Sequence, residues 1–488
     1  MISAVDSAKQ QGNASTGASV PLAIDLDRTL IKTDSLIESL LILFKCNPLL
    51  VLGMLTRLPK GRAHLKRQVA CRVTLDASRL PYHMGLLNYL RDEHLESRSL
   101  ILATGADEHI ARQIADYLQI FDQVIASDGR TNLSGRVKRD RLVAEFRIGG
   151  FDYVGSGRQD VAVWQAARRA MVVGSPADID DTCARLSNVE RVFEVDAAGW
   201  RIWLRPLRLY QWLKNVLVFV PLLAAHRFHE INLLVSACLA FLSFGLCASS
   251  VYILNDLLDL PEDRRHPRKQ RRVFASGILP LRAGLWMIPV LLGLSIGVGL
   301  ALPRSFLVML GIYYGLTLAY SLRLKTVVIL DVIVLAAFFT VRMMAGSAAV
   351  AIWPSSWLLA LSMFLFMSLA LVKRYAELVT MCIEHGPSAR ARSYVASDAQ
   401  LLSTMGIASA FVAVMVLVLY ITSGQAQLYY GRQRVIWLVC PFMLFWICYI
   451  WLVAHRGGMH DDPLVFALKD RVSRLALGVM AIIMILAI

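Results

Sequence analysis

Charge is scarce in this chain. Asp, Glu, Lys and Arg make up 18% of the 488 residues against 56% hydrophobic ones, and the mean hydropathy is +0.54, a balance that excludes an ordinary soluble protein. The eight cysteines include no C-x-x-C pair, so neither a disulfide framework nor a zinc site is implied. No repeat or low-complexity tract is present. The first 20 residues, MISAVDSAKQQGNASTGASV, are small and polar and lack the apolar core of a secretion signal, so the domain that follows is expected to stay in the cytoplasm. Positive charge is in surplus, at net +15. The cations collect in the links between apolar segments, with no RNA-binding signature or aromatic stacking pattern beside them, so nucleic acid is not an expected partner.

What is abundant is unevenly placed. About the first 200 positions mix charge and hydrophobicity like a globular domain, whereas the long apolar runs come later. A span needs about 20 residues to cross roughly 30 Å of hydrocarbon. Runs at 214–228, 231–254, 281–302, 305–321, 327–349, 355–372, 403–423, 434–454 and 471–488 predict an all-α polytopic membrane domain of about nine helices. Basic residues mark every second link, among them 262–272, Arg323 with Lys325, Lys373 with Arg374, and Lys469 with Arg471. These links are expected on the cytoplasmic side of the inner membrane.

One such link is chemically distinctive. Residues 251–277 read VYILNDLLDLPEDRRHPRKQRRVFASG, with Asn255, Asp256, Asp259 and Asp263 forming N-D-x-x-D-x-x-x-D. On a continuous helix the three carboxylates fall at i, i+3 and i+7, share one face and can gather Mg²⁺. The cations that follow, Arg272 among them, suit phosphate oxygens, although some serve only to set topology. Ionisable residues within or at the ends of apolar runs, including Asp331, Arg342, Lys373, Arg374 and Glu377, each need a partner or a ligand; for Asp331 with Arg342 a structural ion pair is an equal alternative.

From about residue 202 onward the chain resembles the UbiA-type polyprenyl transferase superfamily, whose first cytoplasmic loop carries N-D-x-x-D-x-x-x-D. QWLKN at 211–215, HPRKQRR at 266–272, YSLRLK at 320–325 and KRYAEL at 373–378 are similar to its decaprenyl-phosphate phosphoribosyltransferase branch. Members that prenylate aromatic acceptors carry a second aspartate-rich motif in a later cytoplasmic loop. Here that region holds Glu377, Glu384 and Asp398 but no D-x-x-D. The resemblance implies a diphosphate and Mg²⁺ at Asp256, Asp259 and Asp263, beside Asn255. It also implies a lipid phosphate held by cations, with Lys214, Lys373, Arg374 and Arg272 as candidates; Arg323 and Lys325 are further substrate-binding candidates.

The N-terminal part reads differently. PLAIDLDRTL at 21–30 is an apolar strand ending in Asp25 and Asp27, and further strands are predicted at 98–104, 122–126, 151–155 and 170–174 with helices between them. That alternation predicts a doubly wound α/β domain with its site at the carboxyl ends of the strands. The D-x-D-x-T motif resembles that of the haloacid-dehalogenase phosphohydrolases. The resemblance implies Asp25 as nucleophile, Asp27 as general acid/base, Thr104 and Lys138 as phosphate and nucleophile partners, Asp160 in a metal shell with both aspartates, and a helical cap over 33–95. Where that family has G-D-x-x-x-D this chain has Ser156, as G-S-x-x-x-D. A phosphohydrolase that has lost its activity and persists as a scaffold is the alternative.

The domain plan is therefore 1–18 flexible, 19–195 phosphohydrolase-like, 196–213 linker and interfacial segment, and 214–488 membrane transferase. The expected activity is Mg²⁺-dependent transfer of 5-phosphoribose from phosphoribosyl diphosphate to a polyprenyl phosphate, followed by 5-phosphate removal, in supply of cell-envelope glycans. Two other readings stand beside it. One is a polyprenyl-diphosphate transferase with an aromatic acceptor; the other is a transporter or scaffold, which the gathering of polar groups on one membrane face disfavours.

Overall fold

The computed structural model describes residues 20–55, 61–195, 199–385, 390–391, 394–459 and 462–488; the 1–18 segment, expected to be flexible, lies outside them. Two compact units divide the chain, Met1–Trp203 with Asp256–Gly284, and Leu204–Asn255 with Leu285–Ile488.

In the first unit the apolar segments form a six-stranded parallel sheet of β1 (Leu22–Ile24), β2 (Leu100–Asp107), β3 (Gln123–Ser127), β4 (Asp152–Gly155), β5 (Ala170–Gly174) and β6 (Val189–Glu194), in the order β3-β2-β1-β4-β5-β6. Side chains alternate between faces along a strand. Leu22, Ile24, Leu100 and Leu102 enter one core, and Ala23, Ile101 and Ala103 enter the other, so both faces of the sheet are covered. The chain order turns at β1, which pairs with β2 on one side and β4 on the other. In open parallel sheets such a switch point opens a crevice at the carboxyl ends of the strands, and Asp25 stands there. β6 was not foreseen. Its sequence, VERVFE, is mostly exposed, and a charged edge strand lacks the apolar signature of a buried one. Between β1 and β2 lies a helical insertion, comprising Ser35–Cys46, Pro48–Leu55, Arg62–Ala70 and Met84–Leu95.

The aspartate loop also folds into this unit. Helix Ile231–Leu258 stops before Asp259, which caps a second helix, Leu260–Arg265, with Pro261 in its first turn. Proline has no N–H to donate and its ring collides with the preceding turn, so the helix cannot run on. The expected single helical face for Asp256, Asp259 and Asp263 is thereby broken at its middle member.

The second unit is helical. Among the described residues seven helices are long and apolar enough to span a bilayer: Ile231–Leu258, Leu281–Gly299, Arg304–Leu322, Leu330–Val350, Ser356–Ile383, Asp398–Thr422 and Gln433–His455. This is two fewer than expected. The 214–228 run folds as tight 3₁₀ turns over Leu209–Phe219 followed by a short helix Val220–Ala224 containing Pro221, and the last run forms Arg471–Ala487, a helix of 17 residues.

Gly346, in Leu330–Val350, allows a close approach to the 3₁₀ segment, since a Cβ there would lie 2.0 Å from the Val218 carbonyl oxygen. Backbone cannot yield as a side chain can, so Gly346→Ala is expected to cost about 1–3 kcal/mol. Thermal unfolding in detergent would register the loss as a lower Tm; an unchanged Tm would contradict this packing.

Candidate active sites

Asp25 directly follows β1 and is buried. Lys138, from helix Arg136–Phe146, lies with its Nζ 2.9 Å from Asp25 Oδ1 and donates to the Tyr153 hydroxyl at 2.8 Å; Tyr153 in turn donates to Asp160 at 2.7 Å. Burial raises the Asp25 carboxyl, the Lys138 charge pulls it down, and the Asp160 charge pushes it up again; the net direction is upward. Asp27 is pushed up to about 7 by burial and by the charge of Asp34, against the Ser35 N–H that donates to it at 2.8 Å. An acid held near neutrality is suited to proton transfer. Burial would lower Lys138, but the Asp25 and Asp160 charges outweigh it and keep the ammonium form favoured.

Asp160 is engaged on both oxygens. Oδ1 accepts from Tyr153 and faces Lys138 at 3.5 Å, while Oδ2 accepts from the backbone N–H groups of Ser156 and Gly157 at 3.1 and 3.2 Å. It therefore secures the turn after β4 and the lysine. Thr104 is buried and accepts from the Ala106 N–H at 3.1 Å. The hydroxyls of Thr29, Thr33 and Ser35 are buried without a protein partner. The Asp25 and Asp27 carboxyls supply oxygens of the hard kind that Mg²⁺ takes.

One residue here escaped the sequence reading. Lys66, from helix Arg62–Ala70 of the insertion, donates to the Asn132 side chain at 2.6 Å and to the Gly105 carbonyl, and it feels the charges of Asp27, Asp34 and Asp25. Nothing in the local sequence separates it from the many other lysines.

In the aspartate loop Asp256 and Asp263 are buried and converge on one cation, with Arg272 Nη1 at 3.0 Å from Asp256 and 2.6 Å from Asp263. Asp259 points elsewhere, to Lys45 at 2.8 Å. Among the described residues no group of three His, Cys, Asp or Glu side chains converges as a metal-binding set. The residues nonetheless fit a divalent cation. Two carboxylates already enclose a positive charge; burial holds Asp263 above its ordinary value although Arg272 pulls it down, so a proton competes with a cation there.

The membrane unit contains a small polar cavity of about 160 Å³, lined by Lys214, Asn255, Tyr320, Arg342, Lys373 and Asp462 among others. Asp462 Oδ2 lies 2.8 Å from Lys214 Nζ and 3.2 Å from Lys373 Nζ. Burial raises the Asp462 carboxyl, but the two ammonium charges outweigh it and hold it well below the usual range. Asp462 too was missed, lying in a short polar link with no motif around it. An apolar cavity of about 680 Å³ shares Leu369 and Leu464 with the polar one.

The other predicted cations are placed differently. Arg374 is buried, with its Nε on Asp331, Nη1 on Glu377 and Nη2 on the Tyr320 hydroxyl, so its donors serve structure. The Asp331–Arg342 pair does not form; Arg342 instead donates to Asn215 and Tyr313, each at 3.0 Å. Arg323 is exposed at a helix end, and Lys325 sits in the turn that follows.

Among the described residues, seven helices of spanning length, an acidic loop and a two-lysine cavity beside an apolar one give the chain the character of a polytopic membrane protein with sites for charged groups. Residues 216–469 match the UbiA prenyltransferase family, and the chain belongs to that family. It is 36% identical over 459 residues to a Sinorhizobium fredii protein named "Uncharacterized protein y4nM", covering 93% of this chain and 88% of that one. Azorhizobium caulinodans "Nodulation protein NoeC" is 33% identical over 54% of this chain and 85% of its own length. The Mycobacterium tuberculosis "Decaprenyl-phosphate phosphoribosyltransferase" is 31% identical over 56% of this chain and 89% of its own.

Proposed function

We propose that the chain transfers 5-phosphoribose from phosphoribosyl diphosphate to a polyprenyl phosphate at the cytoplasmic face of the inner membrane, and that its N-terminal domain then hydrolyses the 5-phosphate. One observation carries the acceptor assignment. Two lysines line a polar cavity that shares walls with an apolar one, an arrangement suited to the phosphate and first isoprene units of one lipid. The donor rests on the relatives named as phosphoribosyltransferases and on the missing second acidic motif.

In this reading Lys214 and Lys373 exchange Asp462 for the acceptor phosphate. A phosphate oxygen, already ionised near neutral pH, attacks the anomeric carbon as its bond to the diphosphate oxygen breaks. Asp256, Asp263 and Asp259 would hold Mg²⁺, which when bound supplies charge to the departing diphosphate. In the N-terminal domain Asp25 would attack the 5-phosphate phosphorus while Asp27 protonates the ribose 5-oxygen that leaves. Water would then release phosphate from Asp25, with Asp25 and Asp27 also placed to hold Mg²⁺.

Mass spectrometry of lipids after the purified chain meets phosphoribosyl diphosphate, polyprenyl phosphate and Mg²⁺ tests the proposal. A ribosylated lipid phosphate is expected. Turnover only with polyprenyl diphosphate and an aromatic acid would replace this reading with an aromatic prenyltransferase. Lys214→Met is expected to raise KM for the lipid at least about tenfold, the scale of one charge-assisted contact; an unchanged KM would remove Lys214 from the site.

A further inference from the structure

The helix Ser35–Cys46 lies along the aspartate loop. Glu38 and Lys45 are seven residues apart and so share a helix face. Glu38 makes a buried ion pair with Arg264, whose Nε also donates to the Ala275 carbonyl at 3.0 Å. Asp34, the N-cap, pairs with Arg282 at 2.6 Å. These contacts fix the helix. At its last turn Lys45 places Nζ 2.8 Å from both Asp259 Oδ1 and Glu262 Oε1 and remains partly exposed. Arg264 is pinned on two sides, whereas Lys45 carries its charge on a flexible stem beside the one motif aspartate that the Pro261 break turns away from Asp256 and Asp263.

We propose that Lys45, a residue of the N-terminal domain, is a diphosphate-binding residue of the transferase. It neutralises Asp259 and Glu262 in the resting protein and turns to the diphosphate oxygens when Asp259 is drawn to the metal. The inference rests on the reading of the aspartate motif as a diphosphate site. It implies that the N-terminal domain contributes to transfer as well as to any later hydrolysis.

The two roles of Lys45 predict opposite shifts on its removal. Without its ammonium, metal alone meets one competitor fewer at Asp259, while the metal–diphosphate complex loses a contact. Mn²⁺ titration followed by electron paramagnetic resonance, and calorimetry with magnesium pyrophosphate, would read both on the full chain in detergent. For K45A we expect Mn²⁺ affinity to rise severalfold and magnesium pyrophosphate affinity to fall about tenfold, with K45R restoring the latter to within about threefold of the parent. A parallel fall in both affinities, or no change in pyrophosphate binding, overturns the inference. Failure of the parent chain to bind magnesium pyrophosphate overturns the proposed diphosphate site as well.

Discussion

Asp256→Asn is expected to reduce ribosyl transfer by about 10³-fold, the scale of removing a principal electrostatic contact from a departing anion. Asp256 is buried and shares the Arg272 cation with Asp263. Asparagine keeps the shape and an acceptor oxygen but removes the charge that a metal–diphosphate complex needs. Arg272 retains Asp263 as a partner, so the fold should persist with a Tm close to that of the parent. Mn²⁺ binding should fall together with activity. Transfer at the parental rate would remove the aspartate motif from the chemistry and the proposed function with it.

The second large effect separates the two domains. Asp25→Asn should lower 5-phosphate hydrolysis by at least about 10³-fold, as loss of a nucleophile does, while lipid ribosylation continues. The lipid-linked 5-phosphoribose should therefore accumulate, and the mass of one phosphate distinguishes it from the dephosphorylated product. Removing the charge partner of a buried cation costs roughly 3–5 kcal/mol when none is left. Here Lys138 keeps Asp160 at 3.5 Å and the Tyr153 hydroxyl at 2.8 Å, so the variant should remain folded. A parent chain that already accumulates the phosphorylated lipid would mark the domain as a scaffold, in keeping with Ser156 and with the engagement of both Asp160 oxygens.

Legibility followed the range of the interactions involved. The N-terminal strands, Asp25 and Asp27 at a strand end, and the family motif at Asn255 to Asp263 are local patterns, and each was read from the chain. The two expected spans beyond the seven described were weighed by apolar length alone: Pro221 and the 3₁₀ turns break one run, and the other forms a terminal helix of 17 residues, at the short end of the spanning range. The i, i+3, i+7 spacing of the acidic motif holds only for a continuous helix, and Pro261 within the motif interrupts it. Partner choice was less legible: Arg374 takes Asp331, and Arg342 takes Asn215 and Tyr313, because ion pairs form among groups that folding brings together, whatever their separation in sequence.

The sequence by itself determined the two kinds of element, since strand and span signals depend on hydrophobic runs and their periods. It also determined the residue types available for phosphate and metal. Only the tertiary structure decided that the aspartate loop packs with the N-terminal domain, 214 positions from Lys45 to Asp259, and that Asp462 bridges Lys214 and Lys373 across 248 and 89 positions. The reason is electrostatic. A charge withdrawn from water must find an opposite one nearby, and which one lies near is a property of the folded chain.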